Sequence, residues 1–339
     1  MATLSAATDT TTVSRTGPRR EAAVIGGGAF VPEAVLGNRD LEALVDTSDA
    51  WILERTGIRE RRRAGAGETA SVMGAAAARQ ALAAAGSPAV DAIIVATCSG
   101  DTVLPSTACL VQRRLGLNGV PAFDVGAACS GYVYGLALAR ALIRSGDAGT
   151  VLVVAAEAMT TLVDYADRAT CVLFGDGAGA SVVGAVSDGG ISAVRWGADG
   201  GEADLIYYGP KATEPESPNG LRMYGKGTFR IAVERLAGVA EQLCADAGWA
   251  PDDVDLLVPH QANLRIIEAA TRRLDLPMER VMVDLDRLGN TSAASIPIAL
   301  AEAEAAGRLR PGDRVVCVAF GSGTTWGGVA MRWNPLAGR

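Results

Sequence analysis

The sequence predicts an α/β protein in which one α/β unit occurs twice. Apolar runs typical of buried strands alternate with helix-like segments along the 339 residues. Two runs that begin with Val-Asp start at residues 90 and 254, and 254 − 90 = 164; a second pair starts at 151 and 315, and 315 − 151 = 164. A small-residue turn and a helix lie between the two runs in each half. An equal offset at two places indicates a duplicated unit with pseudo-twofold symmetry.

The composition limits the possible functions. With 49% hydrophobic and 20% charged residues the chain is typical of a globular protein, and its net charge of −7 argues against nucleic acid as the main partner. Six cysteines without a C-x-x-C motif indicate reduced thiols in a cytoplasmic protein. The single histidine, His260, excludes a histidine-rich metal site, and no apolar run is long enough for a membrane span.

The chain divides into a tail and two halves. Residues 1–20 are rich in Thr, Ser and Ala and are interpreted as a disordered tail, with an organelle transit peptide as the alternative. Residues 21–185 form the first half and residues 186–339 the second. The run 21–28 predicts a strand and a glycine turn. It lacks the third glycine of a dinucleotide motif, and Pro32 blocks the helix that such a motif needs.

The remaining elements follow from periodicity and end signals. Helices are predicted over 38–45, 46–55 (which begins with cap residues), 71–85, 106–115, 129–144, 228–247 and 264–274, and strands over 90–97, 123–125, 150–156, 254–258 and 314–319. The strand at 123–125 is expected to be buried. The glycine run 175–179 is interpreted as a tight turn between strands, and residues 197–227 as an irregular insertion.

Cys129 stands where the strand 123–125 passes through a small-residue turn into a helix. Free backbone N–H groups and the helix dipole favour an anion at such a position, so the thiol pKa is expected to fall. The position therefore suits a nucleophile. The alternative is a small apolar cysteine packed at a helix start.

Two further polar residues lie at comparable places in the second half. His260 follows the strand 254–258, and Asn290 lies in the turn that corresponds to that of Cys129. Each has an ordinary alternative, a hydrogen-bonded structural histidine and a turn asparagine supported by Gly289. Because loops at strand ends carry chemistry in α/β proteins, and the two halves are related by symmetry, these residues are expected to converge on Cys129.

Several ordered motifs resemble those of the β-ketoacyl-acyl-carrier-protein synthase III family. They are Val-Gly-Ala-Ala-Cys-Ser-Gly at 125–131, Pro-His-Gln-Ala-Asn-Leu-Arg-Ile-Ile at 259–267, Gly-Asn-Thr-Ser-Ala-Ala-Ser at 289–295, Ala-Phe-Gly-Ser-Gly-Thr-Thr-Trp-Gly at 319–327, Asp-Ala-Trp-Ile at 49–52, Arg-Thr-Gly-Ile at 55–58 and Phe-Gly-Asp-Gly-Ala-Gly-Ala at 174–180. The resemblance runs from about residue 22 to the end. It implies a duplicated thiolase-type fold of five layers, α-β-α-β-α, and a homodimer that needs no metal or cofactor beyond its acyl-CoA substrate.

The resemblance also implies roles for the central residues. Cys129 would attack the acyl-CoA, and the backbone N–H groups of Cys129 and Ser322 would form the oxyanion hole. The family commonly has glycine at the Ser322 position, but a backbone donor tolerates serine. His260 and Asn290 would donate hydrogen bonds to the thioester carbonyl of malonyl-acyl-carrier protein as carbon dioxide leaves. Phe320 would shield the malonyl carboxylate from water.

Residues further from the reaction centre are assigned by the same motif matching. Those expected to bind CoA are Trp51 and Arg168, on either side of the adenine, and Arg55, Phe229 and Asn263 along the tunnel. Those expected to dock the acidic carrier protein are Arg230, Arg265, Arg272 and Arg273; a solvated charged face is the alternative. Leu104 replaces a phenylalanine that some relatives carry at the bottom of the partner subunit's acyl pocket, which suggests room for a starter larger than acetyl.

Competing functions remain open. An acyltransferase of the same fold would move the acyl group from Cys129 without condensation, although Asn290 favours condensation. Elongating ketosynthases use two histidines, which this chain lacks. Thiolases usually add a second catalytic cysteine, and no cysteine lies in a matching turn. The chain length and basic helix oppose a chalcone-synthase-like enzyme. Outside this fold, a nicotinamide-dependent oxidoreductase and a non-catalytic binding subunit are disfavoured by the failed glycine spacing and by the Cys, His and Asn set.

Overall fold

The computed structural model describes residues 20–209, 216 and 219–334. The predicted tail therefore lies outside the described residues, apart from Arg20. The strands are β1 (Glu21–Phe30), β2 (Val35–Gly37), β3 (Glu60–Arg62), β4 (Ala92–Ala96), β5 (Ala122–Val125), β6 (Thr150–Ala158), β7 (Asp176–Val186), β8 (Ile191–Ala198), β9 (Ile206–Gly209), β10 (Gly220–Met223), β11 (Leu256–Pro259), β12 (Arg314–Gly321) and β13 (Thr325–Arg332). The α-helices are α1 (Asn38–Glu42), α2 (Asp49–Thr56), α3 (Ala70–Ala84), α4 (Thr107–Leu115), α5 (Gly131–Ser145), α6 (Arg168–Cys171), α7 (Gly225–Ala247), α8 (Leu264–Arg273), α9 (Leu285–Leu288) and α10 (Ser295–Ala305).

Two mixed sheets form the centre of the fold. The first has the order β1-β7-β6-β4-β5, and the second has the order β8-β13-β12-β11. In both, one pair of neighbouring strands is parallel, β4 with β6 and β11 with β12, and the strand that follows is antiparallel, β7 beside β6 and β13 beside β12. Strands β6 and β12 begin at residues 150 and 314, and 314 − 150 = 164. The predicted duplication is confirmed, while the boundary between the halves at residue 185 stays a prediction.

The layers are arranged as α-β-α-β-α. Helices α5 and α10 lie between the two sheets and contact strands of both. Helices α3 and α4 cover the outer face of the first sheet, and α7 and α8 cover that of the second. A continuous apolar core of alanine, valine, leucine and isoleucine fills the space between the sheets. Burial on both sides explains why the strands read as unbroken apolar runs.

A short 3₁₀ turn precedes each central helix, Ala128–Ser130 before α5 and Ser292–Ala294 before α10. Ala128 and Ser292 both have a positive φ, +47° and +50°. They are separated by 292 − 128 = 164 residues, so the same backbone conformation occurs in both copies. Non-glycine residues held in this region cost about 1–3 kcal/mol and persist where the surrounding packing enforces them. The two turns contact each other between the sheets.

The glycine-rich runs were predicted as turns, and this prediction is wrong. Gly26 and Gly28 lie inside β1, and residues 176–179 open β7. A Cβ on Gly26 would lie 2.5 Å from the carbonyl oxygen of Ala81 in α3, and one on Gly179 would lie 2.7 Å from Pro297 Cβ in α10. Glycine is required because helices lie close against these strands, not because the chain turns.

Two other expectations are corrected. The strand around residue 123 was expected to be buried, but β5 is the edge strand of its sheet and Phe123 is 39% exposed. Residues 197–227 were expected to be irregular, but they include the end of β8, the β9–β10 hairpin and the start of α7. Short strands separated by Gly, Pro and charged residues give too weak a periodic signal for detection. Residues 210–215, 217 and 218 lie outside the described ranges.

Candidate active site

A cavity of about 340 Å³ opens between the two halves, and Cys129, His260 and Asn290 all line it. Cys129 comes from the turn before α5, His260 from the end of β11, and Asn290 from the turn before α10. Phe320 and Ser322, from the end of β12 and the turn after it, lie on the same cavity. The fold therefore brings together the three residues that the sequence singled out.

The Cys129 thiol does not have the low pKa that its place before a helix suggested. Burial raises its pKa to about 12; the Ser292 hydroxyl lowers the pKa, and the nearby Glu157 carboxylate raises it. Desolvation in the cavity outweighs the favourable amides of the turn, because an unpaired thiolate has lost its water. The prediction of a lowered pKa is therefore wrong. The resting nucleophile is a protonated thiol.

His260 is a buried, neutral imidazole. Its backbone N–H donates to the Val318 carbonyl (2.8 Å), and its Nδ1 lies 2.7 Å from Ser295 Oγ. Burial lowers its pKa to about 3. When the Ser295 hydroxyl donates to Nδ1, the proton resides on Nε2, which can then donate to a ligand in the cavity. Sequence reasoning missed Ser295, since its link to His260 spans 35 residues.

Asn290 has a fixed side-chain orientation. Its Oδ1 accepts a hydrogen bond from the Ser292 backbone N–H (2.9 Å), and its own backbone N–H donates to the Leu173 carbonyl (2.8 Å). With Oδ1 engaged, the NH₂ group is the polar group that Asn290 offers to the cavity. Gly289 has a φ of +67°, and a Cβ there would lie 2.8 Å from Arg61 Cβ. Glycine is thus required for the turn to reach this position.

The turn after β12 approaches the nucleophile closely. A Cβ on Gly321 would lie 2.7 Å from the Cys129 backbone nitrogen. The Ser322 hydroxyl donates to the Ile206 carbonyl (2.5 Å), and Thr325 Oγ1 donates to the Ala127 carbonyl (3.0 Å). These bonds tie the turn to β9 on one side and to the nucleophile's turn on the other. Serine at 322 is therefore accommodated with its hydroxyl engaged away from the site.

A second polar cluster, which sequence reasoning missed, lies beneath the nucleophile. Glu157 is 0% exposed at the end of β6. Its carboxylate accepts from Ser99 Oγ (2.5 Å), from the Cys98 backbone N–H (3.1 Å) and from Cys98 Sγ (3.2 Å). Cys98 also lines the cavity, and its Sγ lies 3.5 Å from Ser292 Oγ. Residues 97–99 follow β4 without any motif, so only the three-dimensional structure reveals the cluster.

The residues expected to bind CoA lie at the surface above the cavity lining. The Arg168 guanidinium carbon is 4.8 Å from the ring centroid of Trp51, and Arg168 also donates to the Asp46 carbonyl. The two are neighbours, as expected, but they contact each other directly. Asn263 Oδ1 accepts from the Arg265 N–H at the start of α8, and its Nδ2 donates to the Arg55 carbonyl (3.0 Å).

The four arginines assigned to carrier docking are all exposed, namely Arg230, Arg265, Arg272 and Arg273. The Arg265 guanidinium lies 5.9 Å from the ring of Phe229, which places the start of α8 beside that of α7. Arg273 instead forms an ion pair with Glu241 (3.6 Å). Leu104 is 84% exposed on the loop before α4 and does not reach the cavity of its own chain.

Neither a metal-binding cluster nor a membrane-spanning helix is found among the described residues. In the described ranges, no group of three or more His, Cys, Asp or Glu side chains is placed to hold a metal ion. None of the helices within 20–209 and 219–334 combines the length and the apolarity needed to cross a bilayer.

Comparisons with known proteins agree with this geometry. Residues 123–200 match the family model 3-oxoacyl-[acyl-carrier-protein] synthase III, and residues 244–333 match the model of its C-terminal part. β-Ketoacyl-[acyl-carrier-protein] synthases III from Xanthomonas campestris and from a Roseiflexus species are each 50% identical to the chain, over 91% and 92% of it and 98% of their own lengths. The synthase III structure from Aquifex aeolicus has a TM-score of 0.88 at 46% identity, covering 92% of this chain and all of that one. The priming β-ketosynthase of the R1128 polyketide pathway has a TM-score of 0.90 at 36% identity, covering 95% and 98%.

Proposed function

The chain belongs to the 3-oxoacyl-[acyl-carrier-protein] synthase III family, and from this premise we propose how it works and on what. It condenses a short acyl-CoA with malonyl-acyl-carrier protein, with loss of carbon dioxide, and so begins a fatty acid or polyketide chain. The convergence of Cys129, His260 and Asn290 on one cavity carries the proposal. Membership of the family indicates the class of reaction, and the geometry of the cavity supports the role of each residue.

In the first half-reaction the Cys129 sulfur attacks the thioester carbonyl of the acyl-CoA, and CoA leaves. The backbone N–H groups of Cys129 and Ser322 receive the oxyanion. This assignment is supported by the close approach of Gly321 to the Cys129 nitrogen. One such donor is worth about 3 kcal/mol of transition-state stabilisation.

In the second half-reaction malonyl-acyl-carrier protein occupies the cavity. His260 Nε2–H and the Asn290 NH₂ donate to its thioester carbonyl and stabilise the enolate that forms as carbon dioxide leaves. Because its pKa is lowered to about 3, His260 acts as a neutral donor throughout the working pH range. The apolar ring of Phe320 on the same wall disfavours the malonyl carboxylate and favours neutral carbon dioxide. The carbanion then attacks the acyl group on Cys129.

Simple acyl transfer from Cys129 to another nucleophile is the second candidate. Asn290 distinguishes the two, since acyl transfer does not need a donor for an enolate. The hydrogen bond from the Ser292 N–H holds the Asn290 amide with its NH₂ available. This arrangement favours condensation.

The substrate-binding roles beyond the three central residues also belong to the proposal. Trp51 and Arg168 separate to hold the CoA adenine between them. Arg55, Phe229 and Asn263 guide the pantetheine arm, and the cluster Arg230, Arg265, Arg272 and Arg273 docks the acidic carrier protein. Exposure of all four arginines supports docking, with Arg273 weakened by its pairing with Glu241.

We also propose that the enzyme is a homodimer. Edge strand β5 leaves a row of backbone groups unpaired, and nearby Phe123, Val103 and Leu104 are 39%, 96% and 84% exposed. Pairing of two β5 strands would cover this apolar edge and carry Leu104 toward the partner's acyl pocket, where leucine leaves room for a starter larger than acetyl. All six cysteines are free, which suits a reducing cytoplasm.

The test is intact-protein mass spectrometry with a mixture of acetyl-, propionyl-, isobutyryl- and longer acyl-CoAs, followed by addition of malonyl-acyl-carrier protein. We expect one acyl adduct, on Cys129, which disappears with release of carbon dioxide and formation of β-ketoacyl-carrier protein. The Cys129→Ala variant should form no adduct. Transfer of the adduct without carbon dioxide release would establish simple acyl transfer instead, and strict selection of acetyl would refute the role of Leu104.

A further inference from the structure

The proposed function does not identify the group that accepts the thiol proton of Cys129. Cys129 must lose its proton to attack a thioester, and its pKa of about 12 makes the free thiolate rare at neutral pH. His260 is poorly suited to accept this proton, because burial lowers its pKa to about 3. An imidazolium there would also be a new buried charge.

A chain of polar side chains leads from the nucleophile to a buried carboxylate. Ser292 and Cys129 line the same cavity, their two turns contact each other, and the Ser292 hydroxyl lowers the pKa of the Cys129 thiol. Ser292 Oγ lies 3.5 Å from Cys98 Sγ, which lies 3.2 Å from Glu157 Oε1. The Ser292 hydroxyl also lowers the pKa of the Glu157 carboxyl group. Ser292, held with a φ of +50°, and Cys98, an exposed cysteine that lines the cavity, thus lie between Cys129 and Glu157.

The environment of Glu157 is that of a carboxylate ready to receive a proton. Its partners donate: the hydroxyl of Ser99, the backbone N–H and thiol of Cys98, and the hydroxyl of Thr97. The Ser99 hydroxyl accepts from the Ala158 N–H, so its own proton is directed to Glu157. Burial raises the pKa of Glu157 and so increases its affinity for a proton.

We propose that Glu157, reached through Ser292 and Cys98, accepts the proton of Cys129 during acylation and returns it after condensation. This assignment rests on the proposed function. The S–H bond of Cys129 breaks as Ser292 Oγ takes its proton; the Ser292 proton passes to Cys98 Sγ, and the Cys98 proton passes to Glu157. Ser292 and Cys98 end neutral, Cys129 is a thiolate, and Glu157 is a carboxylic acid.

The charge of the buried site does not change in this transfer, since one anion replaces another. The thiolate then forms the acyl-Cys bond, and CoA leaves as a thiolate that takes a proton from solvent. While the acyl-enzyme waits, Glu157 is neutral and does not oppose the enolate. When the carbanion attacks, Cys129 leaves as a thiolate and recovers its proton from Glu157 by the same chain. The net reaction consumes one proton, as decarboxylation of a malonate carboxylate requires.

The titratable groups around Glu157 are Cys98 on the adjoining loop and Cys129 across the turn, and both thiols are protonated at rest. A competing role for Glu157 is purely electrostatic: its charge would only hinder the thiolate. The two roles predict opposite effects of removing the charge. The relay predicts a slower nucleophile in Glu157→Gln, whereas simple repulsion predicts a faster one with its titration moved to lower pH.

The experiment measures the rate at which iodoacetamide alkylates Cys129 in the full chain from pH 5.5 to 9.5, with peptide mass spectrometry to identify the modified cysteine. This readout needs neither acyl-CoA nor malonyl-carrier protein, so it is independent of the proposed condensation. We expect Glu157→Gln and Ser292→Ala each to slow alkylation at pH 7 by about 100-fold, the usual effect of a general base. Their profiles should move to higher pH.

Glu304→Gln is the matched control. Glu304 is a partly buried glutamate with a raised pKa that lies away from the cavity, and its removal should leave the profile unchanged. An unchanged or accelerated rate in Glu157→Gln would overturn the relay. If Glu157→Gln does not fold, as judged by its melting transition, Ser292→Ala alone decides by the same criterion.

Discussion

Replacing Gly321 by alanine should remove one donor of the oxyanion hole while leaving the rest of the cavity in place. The backbone at Gly321 is extended, with a φ of −152° and a ψ of −180°, so alanine introduces no conformational strain. The new Cβ would lie 2.7 Å from the Cys129 nitrogen, 3.1 Å from Thr325 Oγ1 and 3.2 Å from Ala128 Cβ. The new Cβ and the Cys129 nitrogen would have to move apart by about 0.7 Å to reach an ordinary contact distance of about 3.4 Å.

A displacement of about 0.7 Å determines how much of the acylation rate should be lost. A donor that begins at about 2.9 Å from the oxyanion would end near 3.6 Å, outside hydrogen-bonding range. Loss of one oxyanion donor costs about 2.7–4 kcal/mol, a factor of about 10²–10³ in the acylation rate. Overpacking of the turn should also lower the free energy of unfolding by about 1–3 kcal/mol.

The assay is single-turnover acylation of Cys129 by the preferred acyl-CoA, followed by intact-mass spectrometry, with a denaturation curve for each variant. Gly323→Ala is the control on the same turn, where the nearest contact of a new Cβ is 3.7 Å. Because φ at this position is +73°, alanine should lower the free energy of unfolding by about 1 kcal/mol and leave the acylation rate nearly unchanged. If Gly321→Ala is acylated within threefold of the wild-type rate, the close approach of this turn does not form the oxyanion hole.

Four further predictions concern the second half-reaction, docking and pH. Ser295→Ala removes the partner of His260 Nδ1 and should slow decarboxylation of malonyl-carrier protein about 10–100-fold while leaving acylation within a few-fold; equal losses in both would contradict its orienting role. Asn290→Asp places a carboxylate beside the enolate and should slow carbon dioxide release by at least about 100-fold, again without loss of acylation. The double variant Arg265→Glu with Arg272→Glu should raise the KM for malonyl-carrier protein but not for malonyl-CoA, with a weaker effect at high salt; an equal rise for both substrates would contradict carrier docking. Because the pKa of His260 is lowered to about 3 in the folded chain and is near 6.5 when unfolded, the unfolded state binds more protons between these values. Its contribution to the free energy of unfolding should therefore fall as the pH drops from about 6.5 toward 3, by up to about 1.4 kcal/mol per pH unit. Comparison of melting curves with those of His260→Asn checks this slope.

The sequence predicted the features that depend mainly on neighbouring residues, such as helices with clear end signals and buried strands. Helix α4 and the apolar strands β4 and β6 lie within two residues of the bounds that periodicity and end signals predicted. The 164-residue offset predicted the duplicated α/β unit, because a repeated pattern indicates a repeated fold, and the family resemblance implied its five layers. The convergence of Cys129 with two residues of the other half followed from that symmetry.

What the sequence did not predict depends on contacts between distant segments. Glycines in β1 and β7 resemble turn residues until α3 and α10 are seen to lie against them. The exposure of β5 depends on its place in the sheet order, which periodicity does not encode. The pKa of Cys129 was predicted with the wrong sign, since the helix start is a local feature whereas desolvation by the cavity and the charge of Glu157 are not.

The repeated turns have one further consequence, because the symmetry fails at the two positions that matter most. The counterpart of Cys129 in the second copy is Ala293, and the counterpart of Ser292 in the first copy is Ala128. The first copy carries the Cys129 thiol beside the methyl group of Ala128, and the second carries the Ser292 hydroxyl beside the methyl group of Ala293. The two copies therefore act as unlike partners on a common frame, and making either turn identical to the other would remove the thiol or the hydroxyl from the pair.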